Sequence, residues 1–177
     1  MLSPEFRDIL SDFTAEGVDF LVVGAYAMAA HGFPRATGDL DLWVRTDPVN
    51  ARRVFLALVR FGAPLKDIRE EEFRTPGWTY QLGVPPVRID VLTAIDGVEF
   101  DDAWRRRRRL QIEGIRVPVL GRKDLITNKK ATGRPKDLLD AAILEERVSK
   151  PRRARKSARP PGRRSTRRAT SKPTRRR

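Results

Sequence analysis

The apolar positions of this chain follow two periods, and the places where one gives way to the other outline its elements. Phe6, Ile9, Leu10 and Phe13 recur at i, i+3, i+4 and i+7, the spacing of one helix face. Ser3-Pro4 just before them supplies an N-cap and a proline at the first helical position, and Gly17 should end the helix. A short continuous apolar run over residues 20–23 then reads as a strand. Gly24 allows a tight turn into an Ala-rich helical segment that His31-Gly32 would close. The next run alternates: Leu40, Leu42 and Val44 share one face of a strand, and Asp39 and Asp41 share the other.

Thr46-Asp47-Pro48 repeats the cap-and-proline signal and predicts a helix whose face is Val54, Phe55, Leu58 and Val59, stopping near Gly62. Residues 63–83 are mixed in pattern, with a strand over residues 78–82. Pro85-Pro86 should lead in extended conformation into a strand in which Val87, Ile89 and Val91 face one way and Asp90 the other. A short helix over residues 100–104 runs into five consecutive arginines, Arg105 to Arg109. These fit either a solvated helix end or edge strand, or a contact with nucleic acid. A last strand spans residues 115–119. Two helices broken at Gly133 follow, the second starting near Pro135 with Leu138, Leu139, Ala142 and Ile143 on its apolar face.

The D-x-D pair gives this frame its chemistry. Two anions on one strand face repel unless a cation neutralises them, and hard oxygen ligands suit Mg²⁺, which binds one or two carboxylates together with substrate phosphates. Asp90, on a separate strand, is a candidate third ligand. Gly24 would let phosphates approach the amide groups at the start of the following helix. In the loop before the aspartates, the Arg35 guanidinium could meet a phosphate, and the Thr37 hydroxyl could either hold the loop or serve the site. His31 is most simply a helix C-terminal residue favoured by the helix dipole.

Composition narrows the classes. Forty per cent hydrophobic residues in 177 support one modest core. The formal charge of +14 is confined to the end: fourteen Lys and Arg and no acid lie in residues 150–177, leaving 23 basic against 23 acidic residues before them. Two regions are therefore expected, a folded domain over 1–149 and a basic tail over 150–177 too poor in apolar residues to order itself. With no cysteine and one histidine, disulfides, thiol catalysis and multi-histidine metal sites are excluded. The absence of any apolar stretch of about 20 residues argues for a soluble, cytoplasmic protein without membrane contact.

The run G-x-Y-A-x-x-x-H-G-x-x-R-x-T-x-D-L-D-L from Gly24 to Leu42 resembles the opening of the nucleotidyltransferase superfamily, most closely its AbiEii/AbiGii toxin-like branch. A second stretch, N-K-x-A-x-G-R-x-K-D-L-x-D from Asn128 to Asp140, resembles the helical motif of that branch, and together the resemblances cover residues 21–144. They imply an α/β (α+β) nucleotidyltransferase fold: a small mixed sheet flanked by helices, closed by a C-terminal helical pair. They imply a transferase that moves a nucleoside monophosphate from an NTP to an acceptor hydroxyl with two Mg²⁺ ions. Asp39 and Asp41 would touch both metals, and Asp90 would serve the attacking side and act as base. Lys129 and Asp137 would complete the site. Gly24, Ala25, Arg35, Thr37, Arg134 and Lys136 would hold the nucleotide, although Ala25 stands where many members carry Ser or Gly.

The branch further implies RNA, in particular tRNA, as acceptor, and a toxin-antitoxin setting with a cognate antitoxin as partner; the basic tail is expected to bring the domain to nucleic acid. Two other readings stand beside this one. One is a non-catalytic nucleic-acid-binding protein with the same fold, and the other a transferase acting on a small molecule such as an aminoglycoside.

Overall fold

The computed structural model describes residues 2–149; the basic tail lies outside the described residues. Its centre is one six-stranded mixed sheet in the order β3-β4-β2-β1-β6-β5, formed by β1 (Phe20–Val22), β2 (Asp39–Val44), β3 (Thr79–Val84), β4 (Val87–Leu92), β5 (Arg108–Ile112) and β6 (Ile115–Val119). β2 runs parallel to β4 and antiparallel to β1, which in turn runs parallel to β6. Hairpins extend both edges, β3-β4 and β5-β6. Six helices complete the chain: α1 (Pro4–Ala15), α2 (Gly24–Ala30), α3 (Pro48–Phe61), α4 (Phe100–Arg106), α5 (Arg122–Thr132) and α6 (Pro135–Ser149). None is long and apolar enough to cross a membrane. The mixed α/β architecture is the one the sequence pattern predicts.

Strand alternation divides the sheet into two functional faces. Leu40, Leu42 and Val44 of β2 lie with Phe20 and Val22 of β1 and with Ile89 and Val91 of β4, all buried. Helix α1 covers this face with Phe6, Ile9, Leu10 and Phe13, and the rings of Phe13 and Phe20 meet edge to face at 5.5 Å. Each of these side chains contributes about 1.5–3 kcal/mol by leaving water. Ser3 caps α1 through the Phe6 amide, and Asp47 caps α3 through the amides of Val49 and Asn50.

α3 is rotated from the expected face. It buries Asn50, Ala51, Val54, Ala57 and Leu58, and Val59 is exposed. The side chain of Asn50 explains the rotation. Its amide nitrogen donates to the carbonyls of Asp19 and Arg45 and its oxygen accepts from the Asp19 amide, so one buried polar group ties the ends of β1 and β2 together.

Two further features differ from the pattern. Pro85-Pro86, joined by a cis peptide, forms the two-residue turn of the β3-β4 hairpin instead of an extended lead-in. A short 3₁₀ turn at Glu70–Arg74, unmarked by any periodicity, inserts Phe73 under Trp78 and Tyr80.

The largest departure is in α6. Leu138, Leu139, Ala142 and Ile143 face outward, and the buried positions are Asp137, Asp140, Ala141 and Leu144. The inward stripe keeps helical spacing but carries two acids, because cations from elsewhere in the fold are buried with them.

Candidate active site

The second sheet face carries the candidate site residues. β2 presents Asp39 and Asp41 there, and β4 presents Arg88 and Asp90, with Asp39 opposite Arg88 and Asp41 opposite Asp90 in the parallel ladder. The sheet itself thus brings together the three aspartates picked out by period-2 spacing. Asp90 is 6% exposed, so its charge is largely removed from water.

Gly24 sets the floor of the site. Its φ is +60°, a left-handed conformation that favours glycine, and a Cβ placed on it would come within 1.9 Å of Asp41 Oδ2. The backbone therefore turns from β1 into α2 directly against the Asp41 carboxylate, and Ala25 stands in the first turn of α2. Burial, and then the charges of Asp90 and Asp39, push the Asp41 pKa up to about 6, against which Arg88 and Lys129 act only in part.

Arg88 is the functional residue that sequence reasoning missed. Its Nη2 donates to Asp39 Oδ2 at 2.9 Å, and its Nε lies 3.1 Å from Asp90 Oδ1, so one guanidinium spans two of the three carboxylates. The Nε–Oδ1 contact lacks hydrogen-bond geometry, and both atoms are buried without a hydrogen-bond partner. The available signal was R-x-D: on a strand, Arg88 must share a face with Asp90.

Arg35, Lys129 and Asp137 belong to a second cluster, on the helical pair. Lys129, buried on α5, places Nζ 2.5 Å from Asp137 Oδ1 and 3.2 Å from Asp140 Oδ2. Arg35 reaches from the loop before β2 to Asp140 Oδ1 at 2.5 Å. Burial alone would raise the Asp137 pKa, but the hydrogen bond and charge of Lys129, helped by Thr132 and Arg134, hold it below the usual carboxylate range. Asp140 was noticed only as part of the helical motif, and here it joins the loop to both helices. Gly133, in left-handed conformation, ends α5 and lets the chain reverse so that Lys129 faces Asp137.

The remaining candidates divide. Thr37 Oγ1 accepts from the Asp39 amide at 3.2 Å and so holds the loop beside the first aspartate. Arg134 has a largely exposed side chain 3.6 Å from Asp137, and Lys136 is exposed with no acid paired to it among the described residues. His31 Nε2 donates to the Leu120 carbonyl at 2.8 Å. Burial, then the charges of Arg108 and Arg122, lower its pKa despite that bond, so it is a neutral structural residue and not a cation on the helix dipole.

Among the described residues, no three His, Cys, Asp or Glu side chains are arranged as a finished metal-ligand group, since Arg88 lies between Asp39 and Asp90. The donor set nevertheless fits a divalent cation. It offers hard carboxylate oxygens in excess of local positive charge, one of them buried without a hydrogen-bond partner, beside a carboxyl whose pKa is raised by burial and then by like charges.

A mixed sheet with these carboxylates on one face and a glycine-started helix against them is the architecture of a nucleotidyltransferase-like protein. The chain belongs to the family described as nucleotidyl transferase of unknown function (DUF2204), which matches residues 3–156. Its fold is similar to that of a candidate nucleotidyltransferase from Thermotoga maritima, 20% identical, with a TM-score of 0.53 over 84% of this chain and 95% of that one. A nucleotidyltransferase-like antigenic protein from Paracoccidioides brasiliensis is 18% identical over 79% of this chain and 74% of that one, with a TM-score of 0.42. No curated protein matches the chain.

Proposed function

We propose that the protein is a Mg²⁺-dependent nucleotidyltransferase that moves a nucleoside monophosphate from an NTP to a hydroxyl of an RNA acceptor. The observation that carries this reading is the register of β2 against β4, which aligns Asp41 with Asp90 on the face where Gly24 opens α2. Asp39, Asp41 and Asp90 would hold the cation. Bound there, it would neutralise triphosphate charge and lower the pKa of an attacking hydroxyl.

The chain's own residues set the conditions for that step. Gly24 lets the backbone turn directly against the Asp41 carboxylate, where a side chain would collide, so the start of α2 lies beside the oxygens that would hold the cation. Arg88 balances Asp39 and Asp90 when no ligand is present, and its guanidinium is free to turn toward a phosphate once those carboxylates are engaged elsewhere. Lys129 stands close enough to bias Asp41, and two aspartates of α6 hold its ammonium, so it ties α5 to α6 beside the carboxylates. Arg134 and Lys136, less constrained, are the better triphosphate contacts on this side.

RNA is preferred as acceptor because of the basic tail and the resemblance of residues 128–140 to the toxin-like branch; a toxin role with a cognate antitoxin rests on the same resemblance. The test is incubation of the full chain with each α-³²P-labelled NTP, Mg²⁺ and total RNA. Labelled RNA from the wild type and none from Asp41→Asn supports the reading; no labelled RNA with any NTP contradicts it. Growth arrest on expression of the wild type but not of Asp41→Asn would support the toxin role.

A further inference from the structure

The run of five arginines does not act as a block. Arg105 pairs with Asp102 one turn away. Arg106 grips Asp124 with two N–H groups, Nη2 at 2.7 Å from Oδ1 and Nε at 3.1 Å from Oδ2. Arg108 donates to the Ala30 carbonyl at 2.7 Å, at the end of α2. Arg106 and Arg108 join separate elements, and Arg105 makes a local pair within α4. Arg107 and Arg109 are left, and the β5-β6 hairpin brings them a third companion, Arg116.

Cross-strand register fixes where these side chains stand. Arg109 is opposite Pro118 and Arg116 opposite Gln111, so Arg109 and Arg116 share one face as diagonal neighbours, roughly 7–8 Å apart. Neither makes an ion pair or side-chain hydrogen bond among the described residues. Arg107 lies over the ring of Trp104, its guanidinium carbon 3.8 Å from the ring centre, and donates to the Trp104 carbonyl. All three arginines line an open cleft of about 440 Å³. The one acid in its wall, Asp19, is already held by Arg45 Nε at 3.2 Å. Burial, then the positive charge of Arg109, lowers the Arg107 pKa, and the nearby Asp19 offsets this only in part.

Sheet order relates the cleft to the carboxylates. Alternation from β2 through β1 and β6 to β5 places Arg109 and Arg116 on the same sheet face as Asp39 and Asp41. β5 lies three strands from β2, about 14 Å across at ordinary strand spacing. The cleft sits toward the end of β1 and β2 where Phe20 pairs with Val44, a further roughly 7–20 Å along the strands from Asp41 and Asp39, so a segment of several nucleotides is needed to span the two. Arg109 and Arg116 stand at diagonal positions across the hairpin, a separation that suits two linked anions better than a single one. The faces of Trp104 are taken by Arg107 and by Phe100, so little aromatic surface is open for base stacking.

We infer that the cleft lined by Arg107, Arg109 and Arg116 binds backbone phosphates of single-stranded RNA, docking the acceptor strand whose end reaches the carboxylates. The inference deepens the proposed function and rests on RNA being the acceptor. Contacts of this kind position a strand without reading its sequence.

The test is the affinity of the full chain for a fluorescein-labelled oligouridylate, by anisotropy over a salt series, without NTP or divalent ion. Arg109→Glu/Arg116→Glu should weaken binding at least tenfold and flatten the slope of log affinity against log salt by about 1.4, at roughly 0.7 for each phosphate no longer neutralised. Arg109→Lys/Arg116→Lys should stay within about threefold of wild type, because a phosphate accepts a point charge. The charge-matched pair Arg7→Glu/Arg52→Glu should change binding much less. Should charge reversal unfold the edge hairpin, Arg109→Gln/Arg116→Gln repeats the test with a milder change. Unaltered binding in the glutamine pair, or equal weakening in the charge-matched pair, overturns the inference. So does displacement of the oligonucleotide by inorganic phosphate or polyglutamate at equal charge concentration, which would mark a site for lone anions or acidic peptides. RNA binding that depends on this cleft, with no label transferred to RNA, would defeat the catalytic reading alone; labelled RNA with a normal glutamine pair would defeat only the cleft.

Discussion

Two clusters of aspartates, one on the sheet and one on the helical pair, differ in their balance of charge. On the helical pair, Asp137 and Asp140 are matched by Lys129 and Arg35, and the Asp137 pKa is pulled down. On the sheet, Asp39, Asp41 and Asp90 share the single guanidinium of Arg88, and the Asp41 pKa is pushed up to about 6. The same residue type is thus shifted in opposite directions: burial, then the charges of Asp90 and Asp39, outweigh the nearby cations at Asp41, whereas Lys129 outweighs burial at Asp137. A cluster that satisfies itself stabilises a fold, and one left short of positive charge is prepared for a ligand that brings it.

Breaking the balanced cluster should have the largest effect. Lys129→Met leaves two buried aspartates with one cation fewer, which should cost about 3–5 kcal/mol and show as a large drop in melting temperature.

The unbalanced cluster should respond with the opposite sign. A carboxyl whose folded pKa lies above its unfolded value binds the extra proton in the folded state, so in chelator wild-type stability should fall as pH rises from about 4 to about 6, then level off. Asp41→Asn removes that term. Its gain over wild type should be small below pH 4 and reach about 3 kcal/mol above pH 6, from a shift of roughly two units, as measured by denaturant melts across pH. Gly24→Ala should destabilise by about 1–3 kcal/mol, through its positive φ and the displaced Asp41 carboxylate. The smallest effect should come from Arg134→Ala, within about 1 kcal/mol in the same melts, because the ion pair it removes is mostly in water.

What the sequence made legible follows from local geometry. Asp39, Asp41 and Asp90 were readable because strand alternation dictates which side chains share a face, and the Ser3-Pro4 and Asp47-Pro48 starts because capping is a local event. The α6 face was not, since hydropathy assigns acids to water and cannot see that Arg35 and Lys129 arrive from other elements. Asn50 rotated α3 for a similar reason: its three partners lie on β1 and β2 ends that only the fold brings together. Arg88 was visible by alternation beside Asp90, but its partner Asp39 is 49 residues away. Lys129 and Asp137 were singled out through resemblance, and the pairing between them gives them a structural part that resemblance did not suggest.

The contrast between the two clusters is tested most directly by equilibrium binding of Mn²⁺, followed by the decrease of its free-ion EPR signal, to wild type, Asp41→Asn and Arg134→Ala in the absence of nucleotide. The account predicts saturable binding by wild type, binding weakened at least tenfold in Asp41→Asn, and near-wild-type binding in Arg134→Ala. Equal affinity in wild type and Asp41→Asn would contradict it, because the sheet carboxylates would then not be where the cation is held.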